Sequence, residues 1–172
     1  MSRASIPDLL AVAALSLCLL PGSAGAQQKT LKEQLVGTWS LVSFDSTGAD
    51  GKKTQVFGAQ PKGTLMLDGG GHYAMVLTDP GRPKWKSEVR TALSTEELAV
   101  AAKGLVAQFG TWSVDEDSKV WTRKVEGALS PNLGGNEVKV TVGLSADELT
   151  VTANSAVSFT GGRTETIFRR AK

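Results

Sequence analysis

Residues 137–154 read EVKVTVGLSADELTVTAN. Val138, Val140 and Val142 alternate with Glu137, Lys139 and Thr141, the period of a strand that buries one face and wets the other. After the short polar join Ser145-Ala146-Asp147 the alternation resumes, with Leu149 and Val151 set against Thr150 and Thr152. A join this short connects antiparallel neighbours only, so the stretch is a hairpin whose valines and leucine share one face. Lys139, Thr141, Thr150 and Thr152 then point to solvent.

The same period extends outward in both directions. Thr38 to Asp45, Gly63 to Asp68, Tyr73 to Thr78, Gly110 to Asp115, Val120 to Glu126 and Arg163 to Arg170 are further strands, bounded by Gly, Pro, Asp and Asn punctuation. Asp68-Gly69-Gly70-Gly71 and Asp115-Glu116-Asp117-Ser118 supply two more tight joins. Eight antiparallel strands with one apolar face each are most simply arranged as an all-β, up-and-down closed barrel, which leaves no sheet edge exposed. Leu65, Leu67, Tyr73, Met75 and Leu77 face inward, as do Trp112, Val114 and the residues of the hairpin above. A barrel of eight strands either fills its interior with side chains or holds one small ligand.

One segment breaks the alternation. Ser94-Thr95-Glu96-Glu97 offers an N-cap with acids in the first turn, and Leu98, Ala101, Ala102, Leu105 and Phe109 follow at helical spacing. The expectation is one inserted helix of roughly three turns between strands 3 and 4, lying against the barrel. A shorter helical turn at Leu31 to Leu35 is placed as a plug at one barrel end.

Ahead of the barrel, Arg3, the apolar run Leu9 to Leu20 and the small-residue exit Ala24-Gly25-Ala26 have the layout of a secretory signal. The run is too short for a membrane span, which needs about 20 residues, so no permanent membrane anchor is expected. Cleavage near Ala26 leaves residues 27–172 as one barrel domain, periplasmic or secreted. Cys18, the sole cysteine, leaves with the signal, so the mature protein has no thiol for a disulfide, a metal site or a nucleophile. Arg3 and Asp8 leave together, and the net charge stays +2. Its basic residues are scattered apart from Arg82, Lys84 and Lys86 in a proline-bearing loop, so nucleic acid is not an expected partner.

The chain enters its first strand at Gly37-Thr38-Trp39, a Gly-x-Trp signature continued by Ser40 to Phe44. Joined to FGAQPKGTL at 57–65, GHYAM at 71–75, Arg82-Pro83, FGTW at 109–112, VEGALSPN at 125–132 and Asp147-Glu148-Leu149, it resembles the bacterial and fungal lipocalin-like domain family from about Leu35 to Arg170. The resemblance implies the same strand and helix order and a structural pairing of Trp39 with an arginine of the last strand. Strand parity selects Arg170 for that role, with Arg169 as the fallback if the register slips. The chain departs from many relatives where Val120-Trp121-Thr122 replaces a histidine-bearing strand, and where Ile167 and Phe168 precede the closing arginines. A histidine-based activity is therefore not carried over.

No catalytic constellation emerges. His72 is the only histidine, no G-x-S-x-G elbow occurs, and Gly69-Gly70-Gly71 lacks the lysine and helix of a phosphate loop; no cofactor or metal is expected. The candidate ligand-binding residues are Tyr73, Met75, Trp112 and Trp121 inside the barrel and Trp85 in the loop Asp79 to Lys86, as a lid or as packing on the helix. The favoured function is an exported carrier of a small hydrophobic molecule. Two alternatives stay open: an envelope inhibitor of a protease or glycan hydrolase acting through the loops Asp79 to Lys86 and Ser130 to Asn136, and an isomerase or cyclase that shapes an apolar substrate inside the barrel.

Overall fold

The computed structural model describes residues 29–154 and 160–172. The segment read as an export signal, residues 1–26, lies outside the described residues. The strands are β1 (Gly37–Thr47), β2 (Lys53–Gln55), β3 (Lys62–Leu67), β4 (His72–Thr78), β5 (Leu105–Val114), β6 (Val120–Ala128), β7 (Glu137–Ser145), β8 (Glu148–Ala153) and β9 (Arg163–Arg170). Neighbours pair antiparallel from β3 through β9, and β1 closes the ring by pairing with β3 on one side and β9 on the other. The fold is thus the closed eight-stranded up-and-down barrel expected from the alternation. The three residues of β2 add a flap beside Asp45–Thr47, beyond the stretch Gly37–Ser40 where β3 runs against β1.

Burial follows the parity of the sequence. Leu65, Leu67, Tyr73, Met75, Leu77, Trp112, Val138, Val140, Val142, Leu149 and Val151 form one buried cluster with Trp39, Phe44 and Phe168. Val114 is half-buried, Lys139 and Thr141 are exposed, and Thr150 and Thr152 are half-buried. In β1 the register against β9 shifts between Leu41 and Ser43. That bulge resets the alternation, so Leu41 and Phe44, three apart, both point inward.

The two ends of the barrel differ. The tight turns after β3, β5 and β7 lie at the end where β1 begins, and the α1 helix (Leu31–Leu35) covers that end with Leu31 and Leu35 buried. Thr30 caps α1: its Oγ1 accepts from the Glu33 N–H at 3.1 Å, and its own N–H donates to Glu33 Oε2 at 2.8 Å. A second acid reaches the same terminus from the β5–β6 turn, where Glu116 accepts from the N–H groups of Leu31 at 2.8 Å and Lys32 at 3.1 Å. These bonds satisfy donors that a helix start leaves unpaired and set a carboxylate at the positive end of the helix. Glu116→Ala should cost about 1 kcal/mol, read by urea unfolding, with faster hydrogen exchange at Leu31 and Lys32. Unchanged exchange there would show that α1 is held by its leucines alone.

The inserted helix α2 spans Thr95–Lys103, between β4 and β5, with the expected N-cap at Ser94, which the structure completes as a capping box with Glu97. It is shorter than the helical spacing suggested. Leu105 and Phe109 do not continue it; they belong to β5, which starts five residues before the expected Gly110 and pairs Leu105 with Thr78 and Phe109 with Ala74. Gly104 ends the helix with the Arg82 side chain packed where a Cβ would stand. Phe109 misled the helical pattern because it is apolar yet faces outward, 55% exposed. No residue of α2 is buried.

Candidate functional site

The α1 end of the barrel is sealed. Trp39 is fully buried (0% exposed) and its indole Nε1 donates to the Leu35 carbonyl at 2.8 Å. The Arg170 guanidinium lies over the ring, 4.1 Å from its centroid, and donates to the carbonyls of Val36 and Gln34 at 3.2 and 2.6 Å. Gly37 explains its place in the signature: its φ is +139°, and a Cβ there would stand 3.0 Å from Arg170 Nη1. Trp112 belongs to this half, with Lys32 of α1 5.9 Å from its ring centroid.

Toward the other end the interior opens into a cavity of about 390 Å³. That is within the roughly 300–1,000 Å³ of small-molecule pockets. Its walls are apolar where Met75, Leu77, Val106, Val140, Ala153 and Phe168 line it. Leu77, Val106 and Ala153 lie within two residues of the open-end termini of their strands, so the mouth is greasy. Phe44 forms part of the wall and is held edge-to-face by Phe57, with centroids 5.3 Å apart.

A polar sector breaks this lining. Gln108, Arg123, Thr164 and Thr166 all face the cavity and are all buried. Arg123 is 7% exposed. Its guanidinium carbon lies 4.8 Å from the Trp121 ring centroid, and its Nε has no hydrogen-bond partner among the described residues. No Asp or Glu side chain among those residues forms an ion pair with Arg123. Burial pushes its pKa down to about 10, with Tyr73 opposing in part. It therefore remains a cation at neutral pH. The ring beneath supplies about 0.5–2 kcal/mol of attraction, less than the several kcal/mol a buried ion loses on leaving water.

Tyr73 stands behind this sector. Its ring meets Trp121 edge-on at 6.2 Å, and its hydroxyl donates to Gln108 Oε1 at 3.1 Å. Burial raises the Tyr73 pKa, Arg123 lowers it in part, and Glu126 adds to the rise, so the hydroxyl keeps its proton and the donor role. The bond occupies the oxygen of the Gln108 amide and leaves its N–H₂ for the cavity.

Of the candidate ligand-binding residues, Met75 and Trp121 line the cavity and Tyr73 supports it through Gln108. Trp112 has inward parity but sits at the sealed end, outside the lining. Trp85, 43% exposed, lines a separate shallow depression with Arg82, Pro83 and Ala101 of α2. His72 is exposed and pairs with Asp68 at 3.3 Å. Among the described residues no three His, Cys, Asp or Glu side chains gather as a metal site. Arg123 and Gln108 were missed from the sequence, although Arg123 lies between inward Trp121 and Val125, and Gln108 shares the parity of Trp112.

The profile of the lipocalin-like domain family matches residues 36–171. Among solved structures, a lipocalin-like protein from Bacteroides uniformis is similar at a TM-score of 0.43 and 16% identity, over 80% of this chain and 98% of its own. A redesigned β-barrel is similar at a TM-score of 0.43 and 12% identity, over 84% of this chain and 98% of its own. None of the curated proteins matches.

Proposed function

The chain belongs to the lipocalin-like domain family, and from that premise we propose that it holds a small, largely apolar molecule inside the barrel, as a carrier acting in the periplasm or outside the cell. Ligand binding is what a lipocalin-like barrel suggests in general. The observation that carries the proposal is the cavity of about 390 Å³, walled by Met75 and Phe168 deeper in the barrel and by Leu77, Val106 and Ala153 near the open end. A close-packed interior leaves few voids larger than a water, so a space of this size is a feature of the site. Export is supported by the layout of residues 1–26, with Arg3, the run Leu9 to Leu20 and Ala24-Gly25-Ala26.

Ala153 sets up the test, because it lines the cavity on the last residue of β8 with the smallest side chain of the wall. Ala153→Phe projects a ring into the space. The neutral apolar fluorophore N-phenyl-1-naphthylamine should brighten on mixing with the wild type, and the variant should bind it at least about tenfold more weakly, a change of about 1.4 kcal/mol. No uptake by the wild type, or equal uptake by both, would refute a ligand cavity here.

A further inference from the structure

We propose that the ligand carries a carboxylate, or another compact oxyanion on an apolar body, and that Arg123 receives it inside the barrel. This rests on the reading of the cavity as the ligand site and names the chemistry that site selects. Arg123 is buried and lines the cavity, no acid is paired with it, and its Nε has no partner among the described residues. Buried charges in folded proteins are otherwise paired. The groups around it are suited to the same task. The Gln108 amide is turned by the Tyr73 hydroxyl so that its N–H₂ is free to donate. Thr164 and Thr166, buried on β9, bring two hydroxyls to the same lining.

Among the described lining residues donors thus outnumber acceptors: a fixed cation, an amide N–H₂ and the hydroxyls of Ser130, Thr164 and Thr166, with no carboxylate. A ligand that fits must bring acceptors, and an anion satisfies the guanidinium in a way that a neutral hydroxyl does not. The apolar remainder has its place against Leu77, Val106 and Ala153 near the open end. The molecule therefore enters head first, with its charge at Arg123 and its tail toward the mouth.

Matched probes separate this inference from the one it rests on. Decanoate and 1-decanol, and naphthalene-2-acetate and 2-(2-naphthyl)ethanol, differ within each pair only in the head group. By calorimetry the wild type should prefer the carboxylate of at least one pair by about tenfold or more. Arg123→Met should bring that pair to within about twofold, chiefly by weakening the acid, and Arg123→Lys should keep part of the preference. Alcohol bound as well as acid by the wild type, or a preference that survives in Arg123→Met, overturns the anion site and leaves the apolar cavity standing. Binding of neither member of either pair overturns both. The wild-type comparison decides the matter even if the variants fail to fold.

Discussion

Trp39→Ala is expected to destabilise the protein by about 3 to 5 kcal/mol, the range for removing a large aromatic side chain from a core. Trp39 is fully buried beneath α1, and three kinds of contact end with it. The indole N–H no longer donates to the carbonyl of Leu35, the last residue of α1. The Arg170 guanidinium loses the ring under it while still bound to Val36 and Gln34. The void left between Leu35, Leu65 and their neighbours cannot collapse fully, because a closed barrel fixes its own circumference. Such a loss is a large share of the roughly 5–15 kcal/mol available to a domain. Trp85→Ala is the comparison, since Trp85 is 43% exposed on the outer loop and should change stability by less than about 0.5 kcal/mol. Thermal unfolding of the two variants side by side checks this. A larger loss from Trp85 than from Trp39 would mean that the sealed end has been assigned to the wrong pole of the barrel.

What the sequence makes legible here is the side of the sheet on which a residue lies; its height in the barrel is not legible. Period two in Glu137 to Asn154 fixes which residues of β7 and β8 turn inward, and the tight joins fix that they are antiparallel. Parity gives Trp112 and Trp121 the same status, yet one lies at the sealed end and the other in the cavity wall, because strand tilt and stagger set depth and neither is written in the alternation. The end of α2 was misread for a related reason. Leu105 and Phe109 satisfy a helical count, but pairing with Thr78 and Ala74 of β4 outweighs it once Gly104 breaks the helix. Arg123 was hidden by its chemistry. Between Thr122 and Lys124 a basic residue reads as part of a solvated face, and only strict parity with Trp121 and Val125 turns it inward.

Arg123→Met is expected to make the ligand-free protein more stable by about 1 to 3 kcal/mol, the opposite sign to most buried substitutions. Burial that holds the guanidinium pKa at about 10, below the ordinary arginine range, penalises the charged form by roughly 3 kcal/mol at about 1.4 kcal/mol per pH unit. The sign follows from the lowered folded-state value. The cost is present in full well below pH 10, where the group is charged in both states, and is relieved only as pH rises through about 10. Methionine removes that cost and gives up the cation over Trp121, worth about 0.5–2 kcal/mol, while its sulfur keeps a contact of about 0.3–1.5 kcal/mol with the ring. The gain should therefore be constant across neutral pH and shrink above pH 10. Urea unfolding of wild type and variant at roughly pH 7 and pH 10.5 reads both the size and the trend. A variant less stable than the wild type by more than about 1 kcal/mol would mean that Arg123 holds the barrel together through Trp121. A stabilised variant would mean that the fold tolerates a destabilising cation at this position, as expected where binding sites retain groups costly to the ligand-free state.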